Sequence, residues 1–170
     1  MPYISKPARS ISTENHSASG LRPQDLESVD TPQPMSPLKT YIVEDSQVIR
    51  ENLIATLEEL VPVEVIGTAE DEKTAVLWLT QQRSPVDLVI IDIFLKSGSG
   101  LGVLRAAHDL PQPHALVVLS NYATQDIRRK CLELGADRVF DKSNEIDALI
   151  LYCGSLANGD AGSSGHGTLN

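Results

Sequence analysis

Leu88-Val89-Ile90-Ile91-Asp92-Ile93-Phe94-Leu95 is an apolar stretch interrupted once, by a carboxylate. A β-branched run this continuous, taken from Val86 to Ile91, reads as a strand buried on both faces, the hallmark of a parallel sheet covered by helices. Four further runs share its character: Lys39 to Val43, Val63 to Ala69, His114 to Leu119 and Arg138 to Phe140. Helical spacing lies between them. Ile127, Cys131 and Leu134 precede the stop signal Gly135; Ile146, Leu149, Ile150 and Cys153 follow the candidate caps Ser143 and Asn144. The other helices are expected to start near Ser46, Asp71 and Gly100. Strands alternating with helices require right-handed crossovers. The expected fold is therefore α/β: a flavodoxin-like, doubly wound, five-stranded parallel sheet in the order 2-1-3-4-5, with helices on both faces.

Outside this pattern the composition changes. Residues 1–37 hold six of the ten prolines among Ser, Thr, Asn and Gln, and read as a disordered Pro/Ser-rich arm. Residues 158–170 read as a disordered Gly/Ser-rich tail. One folded domain, 38–157, is left within the 170 residues. With 14 basic and 23 acidic residues the net charge is −9, which argues against direct nucleic-acid binding and against an anionic membrane surface. Residues 1–11 contain no signal-peptide core and no run reaches membrane-spanning length, so the expected location is cytoplasmic. Cys131 and Cys153 sit in apolar helical patterns without ligand spacing and read as reduced thiols.

In an open parallel sheet, ligands bind beyond the carboxyl ends of the strands where strand order reverses. The first strand ends in Glu44 and Asp45, the third in Asp92, the fourth in Ser120, and the fifth is followed by Lys142. Taken singly, each has a plain reading: Asp92 as a cap or turn residue, the acidic pair as a helix start, Ser120 as a cap and Lys142 as a solvated charge. Together they form a set. A lone buried carboxylate costs several kcal/mol unless it is paired or metal-bound. Clustered oxygen ligands without His or Cys suit Mg²⁺ better than Zn²⁺. A carboxylate nucleophile, Mg²⁺, a hydroxyl and an ammonium would hold a phosphoryl group on its way to Asp92.

At these positions the chain resembles the receiver domain of two-component response regulators. The resemblance spans about 38–157 and rests on Glu44-Asp45, Val89-Ile90-Ile91-Asp92-Ile93 with Gly98-Ser99-Gly100-Leu101, Leu116 to Ser120, and Leu134-Gly135-Ala136-Asp137 leading to Phe140-Asp141-Lys142-Ser143. It implies Asp92 as phosphoacceptor. It also implies Mg²⁺ on Glu44, Asp45, Asp92 and the Phe94 carbonyl, and phosphoryl contacts from Ser120 and Lys142. The implied donor is a phosphohistidine on a sensor histidine kinase or histidine phosphotransfer protein. The chain departs from the family at three places. Val139 stands where an aromatic switch residue is common, and the adjacent Phe140 should pack beneath helices on the opposite side. Lys142-Ser143 replaces a common Lys-Pro, leaving that peptide's geometry open. Lys96 replaces a common proline.

Phe94 and Tyr122 are each two residues beyond a site residue, and are candidates to flank the phosphoryl group and slow its hydrolysis. Arg128, Arg129 and Lys130 offer positive charge to a partner. The implied regulator is of the stand-alone type and is not an enzyme beyond its own phosphotransfer and dephosphorylation. It would signal to a downstream protein effector, with a possible homodimer through the fourth helix, fifth strand and fifth helix. Two rival readings are a receiver-like scaffold without the chemistry and a nucleotide-binding α/β enzyme using Gly98, Gly100 and Gly102. The latter is poorly matched, because the third glycine of a dinucleotide fingerprint falls at Val103.

Overall fold

The computed structural model describes residues 35–112 and 114–160. Most of the proline-rich arm and of the Gly/Ser tail lies outside them. Five β/α units follow one another: β1 (Leu38–Val43), α1 (Gln47–Leu60), β2 (Val63–Ala69), α2 (Glu72–Gln81), β3 (Leu88–Ile91), α3 (Gly100–His108), β4 (Ala115–Ser120), α4 (Gln125–Glu133), β5 (Arg138–Asp141) and α5 (Ile146–Ala157). All strand pairs are parallel and the order is β2-β1-β3-β4-β5, the doubly wound arrangement expected.

Alternation along the strands divides the core in two. Tyr41, Val43, Val89, Ile91, Leu116, Val118 and Val139 face α2, α3 and α4, whereas Ile42, Leu88, Ile90, Val117, Leu119 and Phe140 face α1 and α5. Phe140 thus packs on the side opposite Val139, beside Tyr152 of α5 at 6.0 Å between ring centroids. The edge strand β2 is kept thin where it matters. Tyr41 stacks on Trp78 with centroids 3.8 Å apart, and a Cβ on Gly67 would come within 3.0 Å of both rings. Such a pair contributes about 1 kcal/mol beyond its burial.

Helix starts follow local side-chain chemistry. Asp71 accepts the Thr74 N–H at 2.8 Å, Ser99 that of Leu101 at 3.2 Å, and Thr124 that of Ile127 at 3.3 Å. Several sequence expectations need correction here. β3 begins at Leu88, not Val86, and β4 at Ala115, not His114. The N-cap of α5 is Glu145, not Ser143 or Asn144, and it makes no capping bond because its carboxylate is engaged by the Asp141 N–H and Arg128. Ser120 caps no helix; Thr124 does. The Lys142–Ser143 peptide is trans. Gly135 ends α4 at φ +103°, and a Cβ there would also strike the His108 ring. Both cysteines are free and buried.

Candidate functional site

Parallel strands finish at the same edge, and the ladder carries past their ends. The Asp92 N–H donates to Val43 O at 2.9 Å, the Glu44 N–H to Ala69 O at 3.0 Å, and the Lys142 N–H to Ser120 O at 3.1 Å. Glu44, Asp45 and Asp92 are thereby drawn together, with one carboxylate oxygen from each lying within 4.8 Å of the others. Glu44 is 2% exposed and Asp92 7%. Lys142 reaches in from β5 and donates to Asp92 Oδ2 at 2.7 Å and to Glu44 Oε2. Burial alone would push the Lys142 ammonium down. The hydrogen bonds and charges of Asp92 and Glu44 outweigh it and hold the Lys142 pKa above its ordinary value.

The remaining oxygens are held by backbone. Asp92 Oδ1 accepts the Phe94 N–H at 3.1 Å, Asp45 Oδ2 the Lys96 N–H at 2.9 Å, and Glu44 Oε1 the Ser46 N–H at 3.0 Å. Arg50 supports this edge from α1, donating to the Glu44 carbonyl at 2.7 Å and pairing with Glu70 at 2.8 Å. Three carboxylates and one ammonium leave the cluster two negative charges in excess. That surplus, with an all-oxygen donor set, fits a hard divalent cation such as Mg²⁺.

A cavity of about 200 Å³ opens over the cluster, lined by Glu44, Asp45, Asp92 and Lys142 and, at its rim, by Phe94, Asn121 and Tyr122. The two rings meet edge to face, with centroids 5.4 Å apart and planes at 83°, and both are exposed. Ser120 does not line this cavity; it is fully buried, and its hydroxyl accepts the Tyr122 N–H at 3.4 Å. Asn121, Ser46 and Ile49 do line it and were not anticipated. Ser46 directly follows Asp45, and the first turn of α1 brings Ile49 to the same cavity.

The basic run on α4 is divided. Arg129 pairs with Asp126 at 2.8 Å on the surface, and Lys130 is exposed. Arg128 is not a free surface charge. Its guanidinium donates to Ala123 O at 2.9 Å, to Val139 O at 2.7 Å and to Glu145 at 2.6 Å, joining the β4–α4 loop, β5 and the start of α5. Gly98, Gly100 and Gly102 do not form a phosphate cradle. A Cβ on Gly100 would lie 2.0 Å from the Asp92 carbonyl oxygen, so this glycine is needed for packing against the strand end.

The family model for the response regulator receiver domain matches residues 40–153. The chain belongs to that family. Among curated relatives, this receiver domain is 31% identical over 119 residues to protein-glutamate methylesterase/protein-glutamine glutaminase 5 of Myxococcus xanthus (strain DK1622), covering 69% of this chain and 34% of that protein. It is 30% identical over 114 residues to the transcriptional regulatory protein YdfI of Bacillus subtilis (strain 168), covering 65% and 51%. The chain thus spans about a third to a half of the length of these relatives. Of solved structures, the CheY-like receiver domain protein from Methanospirillum hungatei JF-1 superposes with a TM-score of 0.64 at 21% identity, over 75% of this chain and 98% of that one. The response regulator domain of Thermotoga maritima CheB gives 0.63 at 19%, over 72% and 97%. Among the described residues no helix is long and apolar enough to cross a membrane.

Proposed function

We propose that this receiver domain takes a phosphoryl group onto Asp92 from a phosphohistidine of a sensor kinase or histidine phosphotransfer protein, and signals through altered protein contacts. An Asp92 carboxylate oxygen attacks phosphorus, the P–N bond breaks, and its electron pair returns to the imidazole of the donor. Glu44, Asp45, Asp92 and the Phe94 carbonyl would hold Mg²⁺, which supplies charge neutralisation on the phosphoryl oxygens. Lys142, already on Asp92 Oδ2, supplies the second positive charge where the new negative charge arrives. The Ser120 hydroxyl accepts the Tyr122 N–H and keeps its own hydrogen to donate to a phosphoryl oxygen, so phosphorylation would pull on residues 120–122. That loop leads into α4. The Phe94 and Tyr122 rings partly roof the cavity and restrict the approach of water in line with the bond to be hydrolysed.

The observation that carries this reading is the Asp92–Lys142 bond inside a carboxylate cluster with a surplus of two negative charges. The folded unit is taken as residues 38–157, acting in the cytoplasm as a regulator and not as an enzyme on other substrates. Arg129 and Lys130 remain available for a downstream effector or for a second copy docking across α4, β5 and α5; Arg128 does not. The test is phosphotransfer from candidate kinases, or from acetyl phosphate with Mg²⁺, followed by intact-protein mass. The native chain should gain one phosphoryl group and Asp92→Asn none. No gain in the native chain would favour a scaffold that keeps the fold without the chemistry.

A further inference from the structure

The β3–α3 loop carries Phe94 and Lys96, whose N–H groups hold Asp92 and Asp45. Its other end is held by a residue of α2. The Glu72 carboxylate accepts the Ser99 N–H at 2.7 Å, and the Glu72 N–H donates to Ser97 O at 3.3 Å. Room for that carboxylate comes from two glycines. A Cβ on Gly98 would lie 2.6 Å from Glu72 Oε2, and one on Gly102 would lie 1.9 Å from Oε1. The third, Gly100, donates its N–H to Ile93 O at 2.9 Å and lets α3 start against the strand end. The Gly98-Ser99-Gly100-Leu101-Gly102 stretch is therefore a notch shaped to receive one acidic side chain at the start of α3, where the helix dipole favours negative charge.

We propose that Glu72 is a positioning residue of the acidic pocket. Seated in the glycine notch, its carboxylate sets the path of residues 93–99, so that the Phe94 and Lys96 amides hold Asp92 and Asp45 in the geometry a divalent cation needs. This rests on the reading of the pocket as a cation-dependent phosphoacceptor site. Glu72 touches neither the cation nor the phosphoryl group; it acts through the loop. Its loss should weaken cation binding, with chemistry at saturating cation left in place.

The experiment compares the native chain with Glu72→Ala, Glu72→Gln, Gly102→Ala and the Glu72→Ala/Gly102→Ala double variant. Calorimetry gives the Mg²⁺ dissociation constant, and amide hydrogen exchange without metal reports on residues 94–99. Glu72→Ala should weaken Mg²⁺ binding about tenfold and speed exchange at Phe94, Lys96 and Ser99 by a similar factor, as expected for losing a charge-assisted hydrogen bond. Glu72→Gln, which still accepts from Ser99, should recover most of both. Gly102→Ala should resemble Glu72→Ala by evicting the same carboxylate, and the double variant should be no worse than Glu72→Ala alone. The phosphorylation rate at saturating Mg²⁺ should stay near native in Glu72→Ala. If Glu72→Ala matches the native chain in both Mg²⁺ affinity and loop exchange, or if the two substitutions simply add, the positioning role is wrong. If the native chain itself binds no Mg²⁺, the reading of the pocket fails first and the role of Glu72 falls with it.

Discussion

Replacing Lys142 by methionine would keep most of the length of the side chain and remove the ammonium that, among the described residues, is bonded to the acidic cluster. Lys142, Glu44 and Asp92 have side-chain exposures of 8%, 3% and 8%, so water screens little of the change. Carboxylate oxygens that lie within 4.8 Å of one another repel by at least about 3 kcal/mol at an effective dielectric of about 20. Unpairing a buried charge by removing its partner costs about 3–5 kcal/mol. We expect Lys142→Met to lose about 3 kcal/mol at pH 7.5, a shift of about 2 M in the urea midpoint for a domain of this size. A divalent cation can replace the ammonium: at about 100 times its dissociation constant for the variant, Mg²⁺ should return about 2.7 kcal/mol, and at the same concentration the native chain, whose ammonium already offsets part of the charge, should gain less. Urea unfolding at pH 7.5, with and without Mg²⁺, reads both. A deficit untouched by Mg²⁺ would refute the electrostatic account of the site.

Other predictions concern the core and the rim. Gly100→Ala would drive a methyl group against the Asp92 carbonyl and should cost several kcal/mol in urea unfolding, because backbone cannot move aside as a side chain can; a loss under 1 kcal/mol would contradict the packing described. Exchanging Phe94 and Tyr122 together for small polar residues should shorten the lifetime of the phosphorylated form, followed by mass in Mg²⁺ buffer, and an unchanged lifetime would remove the rings from that role. Burial pushes the Cys153 thiol up to about 12, so native protein should resist iodoacetamide at pH 8.5 until urea unfolds it. Lys142 is held above its ordinary value of 10.5 by its two acids, burial notwithstanding. Its pairing is thus complete below pH 10.5, and stability should fall as pH rises through the folded value.

The central strands were legible because both of their faces are buried. Leu88 to Ile91 and Leu116 to Leu119 leave nothing polar for solvent, and with helical patterns between such runs a helix-covered parallel sheet accepts that pattern. The acids were legible for the related reason that Asp92 stands where no unpaired charge is tolerated. What remained hidden depends on distance in sequence. Glu72 and Gly102 are 30 positions apart, and no periodicity links a carboxylate to the glycine that makes space for it. Arg128 looked like part of a basic surface run because its three acceptors, at Ala123, Val139 and Glu145, are brought to it only by the packing of α4 on β5. The start of α5 was misplaced for the same reason: Ser143 and Asn144 are good caps locally, but Glu145 is committed to Arg128 and to Asp141.

The grip of Arg128 has a mechanical meaning. One guanidinium fastens the β4–α4 loop, the edge strand β5 and the start of α5 to one another, so these three parts form a single hydrogen-bonded plate. A protein that takes hold of this plate also leans on the segment that leads back to Ser120. By reciprocity, whatever factor phosphate adds to the affinity of such a protein, that protein must add to the stability of the phosphorylated state. Measuring either factor therefore fixes the other.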